Sequence, residues 1–141
     1  MVTIRPIRPD DYEACATIAT LTRPEPTTGA EMLEQDQQDS VDPGSFFRRL
    51  VAEDENGRVL GYGFVERPSW IRPGRWCVLA CTHPEHRGQG VGLALYNAAV
   101  SVAREGGAAE LETWVRGEDD DSYTWAHRRG FTLEKQRTES V

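Results

Sequence analysis

The most informative segment of this 141-residue chain is Thr82-His83-Pro84-Glu85-His86-Arg87-Gly88-Gln89-Gly90-Val91-Gly92. A continuous apolar run from Trp76 to Thr82 precedes it, which predicts a strand buried on both faces. An amphipathic pattern follows it and predicts a helix, marked by Val91, Leu95, Ala98 and Val102. The three alternating glycines let the backbone turn tightly and approach a ligand closely.

A glycine-rich turn that opens a helix is a candidate phosphate site, because the first helical N–H groups are unpaired and the helix dipole is positive there. The G-x-G-x-G spacing differs from the dinucleotide G-x-G-x-x-G pattern. A phosphate loop ending in Gly-Lys-Ser/Thr is excluded, since the only lysine is Lys135. On the residues alone, a tight turn without a ligand explains the pattern equally well.

The elements predicted around this segment follow the order β-α-α-β-β-β-α-β-α-β. A helix from Asp10, capped by Asp10 with Glu13 as its capping-box partner, runs to about Leu21. Asp54-Glu55-Asn56-Gly57 predicts a hairpin in which Asn56 and Gly57 supply positive φ angles. The remaining predicted helices cover residues 28–38, 91–105 and 122–129, and the strands cover residues 3–7, 46–53, 58–66, 76–82, 109–115 and 131–141.

These elements predict a single α/β (α+β) domain over residues 1–141. The strand–helix–strand unit from Trp76 to Val115 requires a right-handed parallel crossover, and the hairpin before it is antiparallel. A mixed sheet with helices on both faces follows from these two units.

Charge and composition restrict the classes of molecule that the protein could bind. The net charge is −7 and the pI is near 5.0, which argues against nucleic acid because phosphate binding needs a basic face. No apolar run is long enough to span a membrane. The three cysteines, and the absence of an apolar region after Arg5, predict reduced thiols in a cytoplasmic protein without a signal peptide. The histidines lack zinc spacing, so no metal is predicted.

Residues Arg87–Gly92 match the Arg/Gln-x-x-Gly-x-Gly/Ala signature of the GNAT superfamily of acyl-CoA N-acyltransferases. Ile4-Arg5-Pro6 with Asp10-Asp11 resembles the usual beginning of that family, and Arg128-Arg129-Gly130-Phe131 resembles its last helix end. The resemblance covers nearly the whole chain in the family's order. It implies a GNAT-like mixed, mostly antiparallel central sheet flanked by helices.

The resemblance also implies a place for acetyl-CoA as substrate. The family's main-chain N–H groups in the turn would hold the pyrophosphate, here Arg87, Gly88, Gln89, Gly90, Val91 and Gly92. The preceding strand would pair with the pantetheine arm through Leu79, Ala80, Cys81 and Thr82. An N–H near Cys81 would polarise the thioester carbonyl. The slot would open between this strand and the one around Glu112–Val115.

Three side chains are candidates for proton transfer. Glu66 is the first candidate for the base that deprotonates an acceptor amine, and Glu112 is the second. Each also fits a solvated or ion-paired carboxylate. The tyrosine that commonly protonates the leaving thiolate is replaced by Ala126, and Tyr123 is the nearest substitute.

The resulting hypothesis is an N-acetyltransferase that moves an acetyl group directly from acetyl-CoA to an amine. Acidic residues where the fold builds its acceptor rim favour a cationic small molecule or protein amine: Glu31, Glu34, Asp36, Asp39 and Asp42. The alternative is a weak or inactive GNAT-like module for CoA binding or protein interaction, such as half of a tandem-domain acyltransferase. Ala126 and the short last strand, Thr138–Val141, favour that alternative. The short strand also predicts an exposed edge that another chain covers, for instance in a homodimer.

Overall fold

The computed structural model describes residues 2–22, 26–41, 44–68 and 74–113. The chain divides into one unit of Met1–Leu111 and a second of Glu112–Val141. The predicted elements beyond residue 113, and with them Tyr123 and Ala126, lie outside the described residues.

The described elements are β1 (Thr3–Pro6), α1 (Tyr12–Thr22), α2 (Gly29–Val41), β2 (Phe46–Glu53), β3 (Val59–Arg67), β4 (Arg75–Thr82), α3 (Val91–Glu105) and β5 (Glu110–Glu112). Short 3₁₀ turns at Pro9–Asp11 and Pro84–His86 precede α1 and α3. The five strands form one sheet in the order β1-β2-β3-β4-β5. The first four pair antiparallel with their neighbours. The mixed, mostly antiparallel sheet is confirmed.

The helices lie on opposite faces of this sheet. On the α1 face, Val51 and Tyr62 are paired across β2 and β3 and pack with Cys15 and Ile18 of α1 and Met32 of α2. On the α3 face, a Cβ added at Gly61 would lie 2.7 Å from the Cys81 carbonyl oxygen of β4, 3.0 Å from Val91 Cγ1 and 3.1 Å from Leu95 Cδ1. The neighbouring strand and the close approach of α3 together leave little room for a side chain there.

Two buried arginine ion pairs connect elements that are distant in sequence. Arg5 of β1 donates to both oxygens of Asp11 at 2.7 and 3.0 Å and to Glu53 of β2 at 3.0 Å. Arg49 of β2 donates to both oxygens of Asp36 in α2, each at 2.8 Å. Tyr12 of α1 donates its hydroxyl to the same Asp36 at 2.9 Å. Asp36 thus connects both helices to the sheet.

The beginning of the first helix differs from the prediction. Asp10 is exposed, and Asp11 is the acid that accepts a main-chain hydrogen bond, from Arg8 N–H at 2.7 Å. Pro9 opens a 3₁₀ turn, which moves the start of α1 to Tyr12. The prediction of an Asp10–Glu13 capping box was wrong because the turn presents the next carboxylate to the free N–H.

The β2–β3 hairpin also differs in detail. Its turn lies where predicted, and Asp54 Oδ1 accepts the N–H groups of Asn56 and Arg58, each at 2.9 Å. Gly57 has a φ of 80°, but Asn56 does not adopt a positive φ. The register shifts between Ala52 and Glu53, so a strand irregularity supplies the twist that two positive φ angles would otherwise supply.

Burial along β4 is uneven. Trp76, Cys77 and Val78 are buried, whereas Leu79, Ala80, Cys81 and Thr82 are only partly buried. The N–H groups of Ala109 and Glu110 donate to Gly74 O at 2.8 and 2.9 Å, so β5 joins the sheet beside the beginning of β4. The prediction of a strand buried throughout was therefore correct only for its first half. No helix among the described residues is long and apolar enough to cross a membrane.

Candidate active site

The turn before α3 has the backbone geometry that its glycines predict. Gly88 and Gly90 have φ angles of 80° and 84°, which side-chain-bearing residues rarely adopt. A Cβ on either would meet no atom within 4 Å, so both face open space. Arg87, Gly88, Gln89 and Gly90 are exposed. The turn therefore presents bare main chain to solvent.

The helix α3 begins directly after this turn. Ala94 N–H donates to Gly90 O at 3.0 Å and closes the first helical hydrogen bond. The N–H groups of Val91, Gly92 and Leu93 precede that bond, so helical geometry gives them no intrahelical acceptor. Gly90, in the N-cap position, has no side chain with which to cap them. Fifteen helical residues place a positive dipole end at this point.

Thr82 joins β4 to this helix end. A Cβ added at Gly92 would lie 3.2 Å from Thr82 Oγ1. The third glycine of the motif thus allows close packing between the first turn of α3 and the end of β4, whereas Gly88 and Gly90 shape the backbone. The glycines have two different roles, which their even spacing did not reveal.

Along β4, the N–H and C=O groups of successive residues point alternately toward β3 and toward the opposite edge of the strand. His83 N–H donates to Leu60 O at 2.9 Å, and Cys81 pairs with Tyr62 in the antiparallel register. The carbonyl oxygens of Leu79 and Cys81 approach the Cβ positions of Gly63 and Gly61 on β3. The main-chain groups of Leu79 and Cys81 therefore point toward β3, and those of Ala80 and Thr82 point toward the opposite edge.

The Cys81 side chain faces α1. Its Sγ lies 3.3 Å from Thr22 Oγ1, and the residue packs against the core of the α1 face. Cys81 is thus occupied by β3 through its main chain and by α1 through its side chain. The predicted N–H donor near Cys81 corresponds geometrically to Ala80 or Thr82, one residue away.

Glu66 is a partly buried carboxylate on the α1 face. It pairs across the sheet with Phe47 of β2 and Cys77 of β4. Burial raises the pKa of the Glu66 carboxyl, and the negative charge of Asp39 raises it further, while Arg49 opposes the shift. A raised pKa on a partly buried carboxylate is typical of general bases, although structural ion pairs also produce such shifts.

Glu112 is partly buried at the end of β5, in the second unit of the chain. Glu66 belongs to the first unit and Glu112 to the second, and Tyr123 lies outside the described residues, so the roles of these three residues stay predictions.

The sequence placed Asp36 among the acids of the predicted acceptor rim and indicated no role for Arg49. In the structure, these two residues form the charged centre of the α1 face. The Arg49 guanidinium carbon lies 5.5, 5.4 and 5.9 Å from the ring centroids of Phe47, Tyr62 and Phe64. Strand alternation contained a signal for it: Arg48 and Arg49 are adjacent, so one of them must face a helix.

Among the described residues, His83, Glu85 and His86 bring potential metal-ligand atoms within 4.8 Å of one another. His83 Nδ1 already accepts the N–H of Glu85 at 3.1 Å, so the neutral ring carries its proton on Nε2. His86 Nε2 is buried without a hydrogen-bond partner in the described part of the chain. This donor set does not favour a metal ion, because His83 would have to give up its turn hydrogen bond to bind one through Nε2.

An open cavity of about 480 Å³ lies beside the turn and is lined by Val2, Asp54, Leu60, His86, Gln89, Gly90 and Ala94. It extends from the turn toward the β2–β3 hairpin. Of the predicted coenzyme residues, it includes Gln89 and Gly90 but none of those on β4.

Comparisons with known proteins identify the family and the fold. A family model described as acetyltransferase (GNAT) family matches residues 10–131. A mycothiol acetyltransferase of Nocardiopsis dassonvillei is 34% identical over 82 residues, and the match covers 58% of this chain and 23% of the relative. The chain thus spans about a quarter of the length of that curated relative.

Solved structures show the same fold. Ard1 of Thermoplasma volcanium superposes with a TM-score of 0.76 at 25% identity, over 95% of this chain and 84% of that chain. YncA of Salmonella typhimurium, solved with its cofactor acetyl-CoA, superposes with a TM-score of 0.74 at 24% identity, over 96% of this chain and 82% of that chain.

Proposed function

The chain belongs to the GNAT acetyltransferase family, and from this premise we propose that it transfers the acetyl group of acetyl-CoA to an amine. The observation that carries the proposal is the exposed, positive-φ turn Arg87–Gly90 at the beginning of α3. A turn without a ligand has no need to combine bare main chain, open space and a long helix dipole.

The residues of this turn fit the pyrophosphate of acetyl-CoA. Two negative phosphates at the N-terminus of α3 would be stabilised by the helix dipole and by the N–H groups from Gly88 to Gly92. The exposed Arg87 side chain adds a positive charge beside them. No lysine is required, in agreement with the arginine-rich composition.

The second half of β4 is proposed to bind the pantetheine arm. The amides of that arm can pair with a strand edge in the manner of an added strand. Ala80 and Thr82 would supply the main-chain groups for this pairing, because those of Leu79 and Cys81 point toward β3. One outward N–H would also polarise the thioester carbonyl.

Glu66 is proposed to accept the proton of the acceptor amine. An alkylammonium with a pKa near 10.4 costs about 4.6 kcal/mol to deprotonate at pH 7. Removing this proton at Glu66 lets the nitrogen attack the acetyl carbon. The new C–N bond forms, the C–S bond breaks, and the CoA thiolate leaves with a proton taken from water or from Tyr123.

The acceptor is proposed to be a cationic amine. The helix α2 carries four acids and no basic residue. Glu31 and Glu34 are exposed and Asp39 is partly buried, whereas Asp36 is buried and paired with Arg49. Amines related to mycothiol belong in the screen because a relative is named mycothiol acetyltransferase, although the match covers only 23% of that relative.

The experiment is calorimetric titration of the chain with acetyl-CoA, followed by an acceptor screen that detects released thiol. CoA lacking its 3′-phosphate serves as the control, because it retains the pyrophosphate. Micromolar binding of both supports the turn as the coenzyme site. A folded sample that binds neither at millimolar concentration would instead favour a scaffold or partner module.

A further inference from the structure

The last turns of α2 lie along the beginning of β2. Arg49 binds Asp36 through both carboxylate oxygens, and Ser45 Oγ donates to the main-chain oxygen of Asp39 at 3.3 Å. Asp36 and Asp39 are three residues apart, so they share one face of the helix. The helix and the strand therefore run in opposite directions, with Asp39 nearer to the beginning of β2 than Asp36.

The strand register places Glu66 on the same face of the sheet as Arg49, two residues nearer to the beginning of β2. Phe47 and Arg49 alternate on the same face of β2, and Phe47 pairs directly with Glu66 of β3. Three helical residues advance about 4.5 Å from Asp36 to Asp39. Two strand residues advance about 6.6 Å from Arg49 to Phe47. Asp39 therefore lies toward the beginning of β2, the end of the strand at which Phe47 pairs with Glu66.

Charges of both signs act on Glu66. Among the described residues, the charged groups that shift its pKa are Asp39 from α2 and Arg49 from β2, and the buried thiol of Cys77 pairs with it from β4. Arg49 lowers the pKa of Glu66, but it is also bound to Asp36 through both carboxylate oxygens. Asp39 supplies the opposing negative charge. Its effect on the pKa of Glu66 has the same direction as burial, upward, with burial the larger cause.

We propose that Asp39 is a positioning residue for the acceptor reaction, acting through Glu66 by bringing a second carboxylate to the base. This inference rests on the proposed function, because it assigns Asp39 to the chemistry of Glu66. A base that binds its proton more tightly removes one from an ammonium more readily, provided that it remains ionised at the working pH.

The experiment titrates the Glu66 carboxyl directly by ¹³C NMR in the full chain, with the resonance assigned through Glu66→Gln. The test variant is Asp39→Asn, which removes the charge but keeps an oxygen to accept the hydrogen bond that Gln35 Nε2 donates at 3.1 Å. The matched control is Glu34→Gln, an exposed acid on the same helix that loses the same charge. Asp39→Glu restores the charge and guards against a purely structural effect.

The expected result is a Glu66 midpoint that moves to lower pH in Asp39→Asn and stays in place in Glu34→Gln and Asp39→Glu. The acidic limb of kcat/KM should move by the same amount. A midpoint that shifts equally in Asp39→Asn and Glu34→Gln, or in neither, overturns the inference. A midpoint that shifts while the rate profile does not would support the effect of Asp39 on Glu66 and remove Glu66 as the base.

Discussion

Arg49 and Asp36 form a bidentate ion pair inside the α1 face, with guanidinium Nε and Nη2 each 2.8 Å from a carboxylate oxygen. The two side chains are only 10% and 8% exposed. Aromatic rings from β2 and β3 surround the guanidinium, and the Tyr12 hydroxyl donates to the same carboxylate. One contact therefore holds α1, α2 and the sheet together.

Removal of Asp36 alone should be costly. Asp36→Leu leaves Arg49 charged and largely buried without its partner, which destabilises by about 3–5 kcal/mol. The double variant Asp36→Leu with Arg49→Met should recover much of that loss, because neither charge remains. Urea unfolding of the wild type, of each single variant and of the double variant gives the four free energies of the cycle. A double variant as unstable as the sum of the two single ones would show that the pair is not coupled.

Replacement of Tyr12 by Phe tests the same centre by a milder change. A hydrogen bond to a charged group contributes about 1.5–3 kcal/mol. Tyr12→Phe removes only the hydroxyl, so the variant should fold with a loss in that range, measured by urea unfolding. Unchanged stability would mean that Arg49 alone satisfies Asp36.

Asp11 should make the folded state sensitive to acid. The hydrogen bonds from Arg5 hold the pKa of this carboxyl below its ordinary value. The stabilisation is thus present above the unfolded pKa and is lost as the pH falls below about 4 through the folded pKa. Asp11→Asn should flatten the pH dependence of the unfolding free energy between pH 5 and pH 2.

The control for this measurement is Asp10→Asn, which changes an exposed neighbour. It should leave the acid transition almost unchanged. If Asp10→Asn lowered the unfolding free energy more than Asp11→Asn, the result would support Asp10 as the helix cap, as the sequence predicted.

Gly90 tests the coenzyme site. Gly90→Asp should abolish acetyl-CoA binding in the calorimeter, because a carboxylate in the turn would occupy the proposed phosphate position and repel the phosphates. Gly107 offers a matched control, with a φ of 92° and no atom within 4 Å of an added Cβ. It follows the other end of α3, about 22 Å away along the axis.

Gly107→Asp introduces the same side chain at a similar backbone conformation, so both variants carry a similar strain. Coenzyme affinity should therefore survive in Gly107→Asp and disappear in Gly90→Asp. Equal affinities in the two folded variants would remove the turn from the coenzyme site.

Glu66→Gln should reduce kcat by about 100-fold or more without weakening acetyl-CoA binding, since general-base catalysis contributes on that order. Because the pKa of Glu66 is raised, its ionised form also costs folding free energy at neutral pH. The variant should then be slower but slightly more stable. Glu112→Gln is the comparison, and a larger loss of kcat there would transfer the role of base to Glu112.

The sequence predicted the helices, strands and turns better than the contacts between their side chains. The strand Phe46–Glu53 was predicted with its observed bounds, because turn residues flank a segment of strand length on both sides. The glycine turn was predicted for a similar reason, since Gly88 and Gly90 adopt the positive φ that their residue type permits. Such features depend on near neighbours in sequence.

The charged centre depends on how α2 is rotated above the sheet. That rotation places Met32 in the same core cluster as Ile18 and Asp36 within reach of Arg49. In β4, the pairing register with β3 decides which carbonyl groups point toward β3. No local pattern around Cys81 contains that information.

The choice of arginine for the buried ion pairs has a chemical consequence. Arg5 and Arg49 carry guanidinium groups, which stay protonated at any physiological pH and are poor nucleophiles. A lysine in either place would offer an amine of the kind that an acyl thioester modifies. With Lys135 as its single lysine, the chain has structural cations that are inert toward the proposed reaction, so turnover would leave its scaffold free of self-acetylation at these pairs.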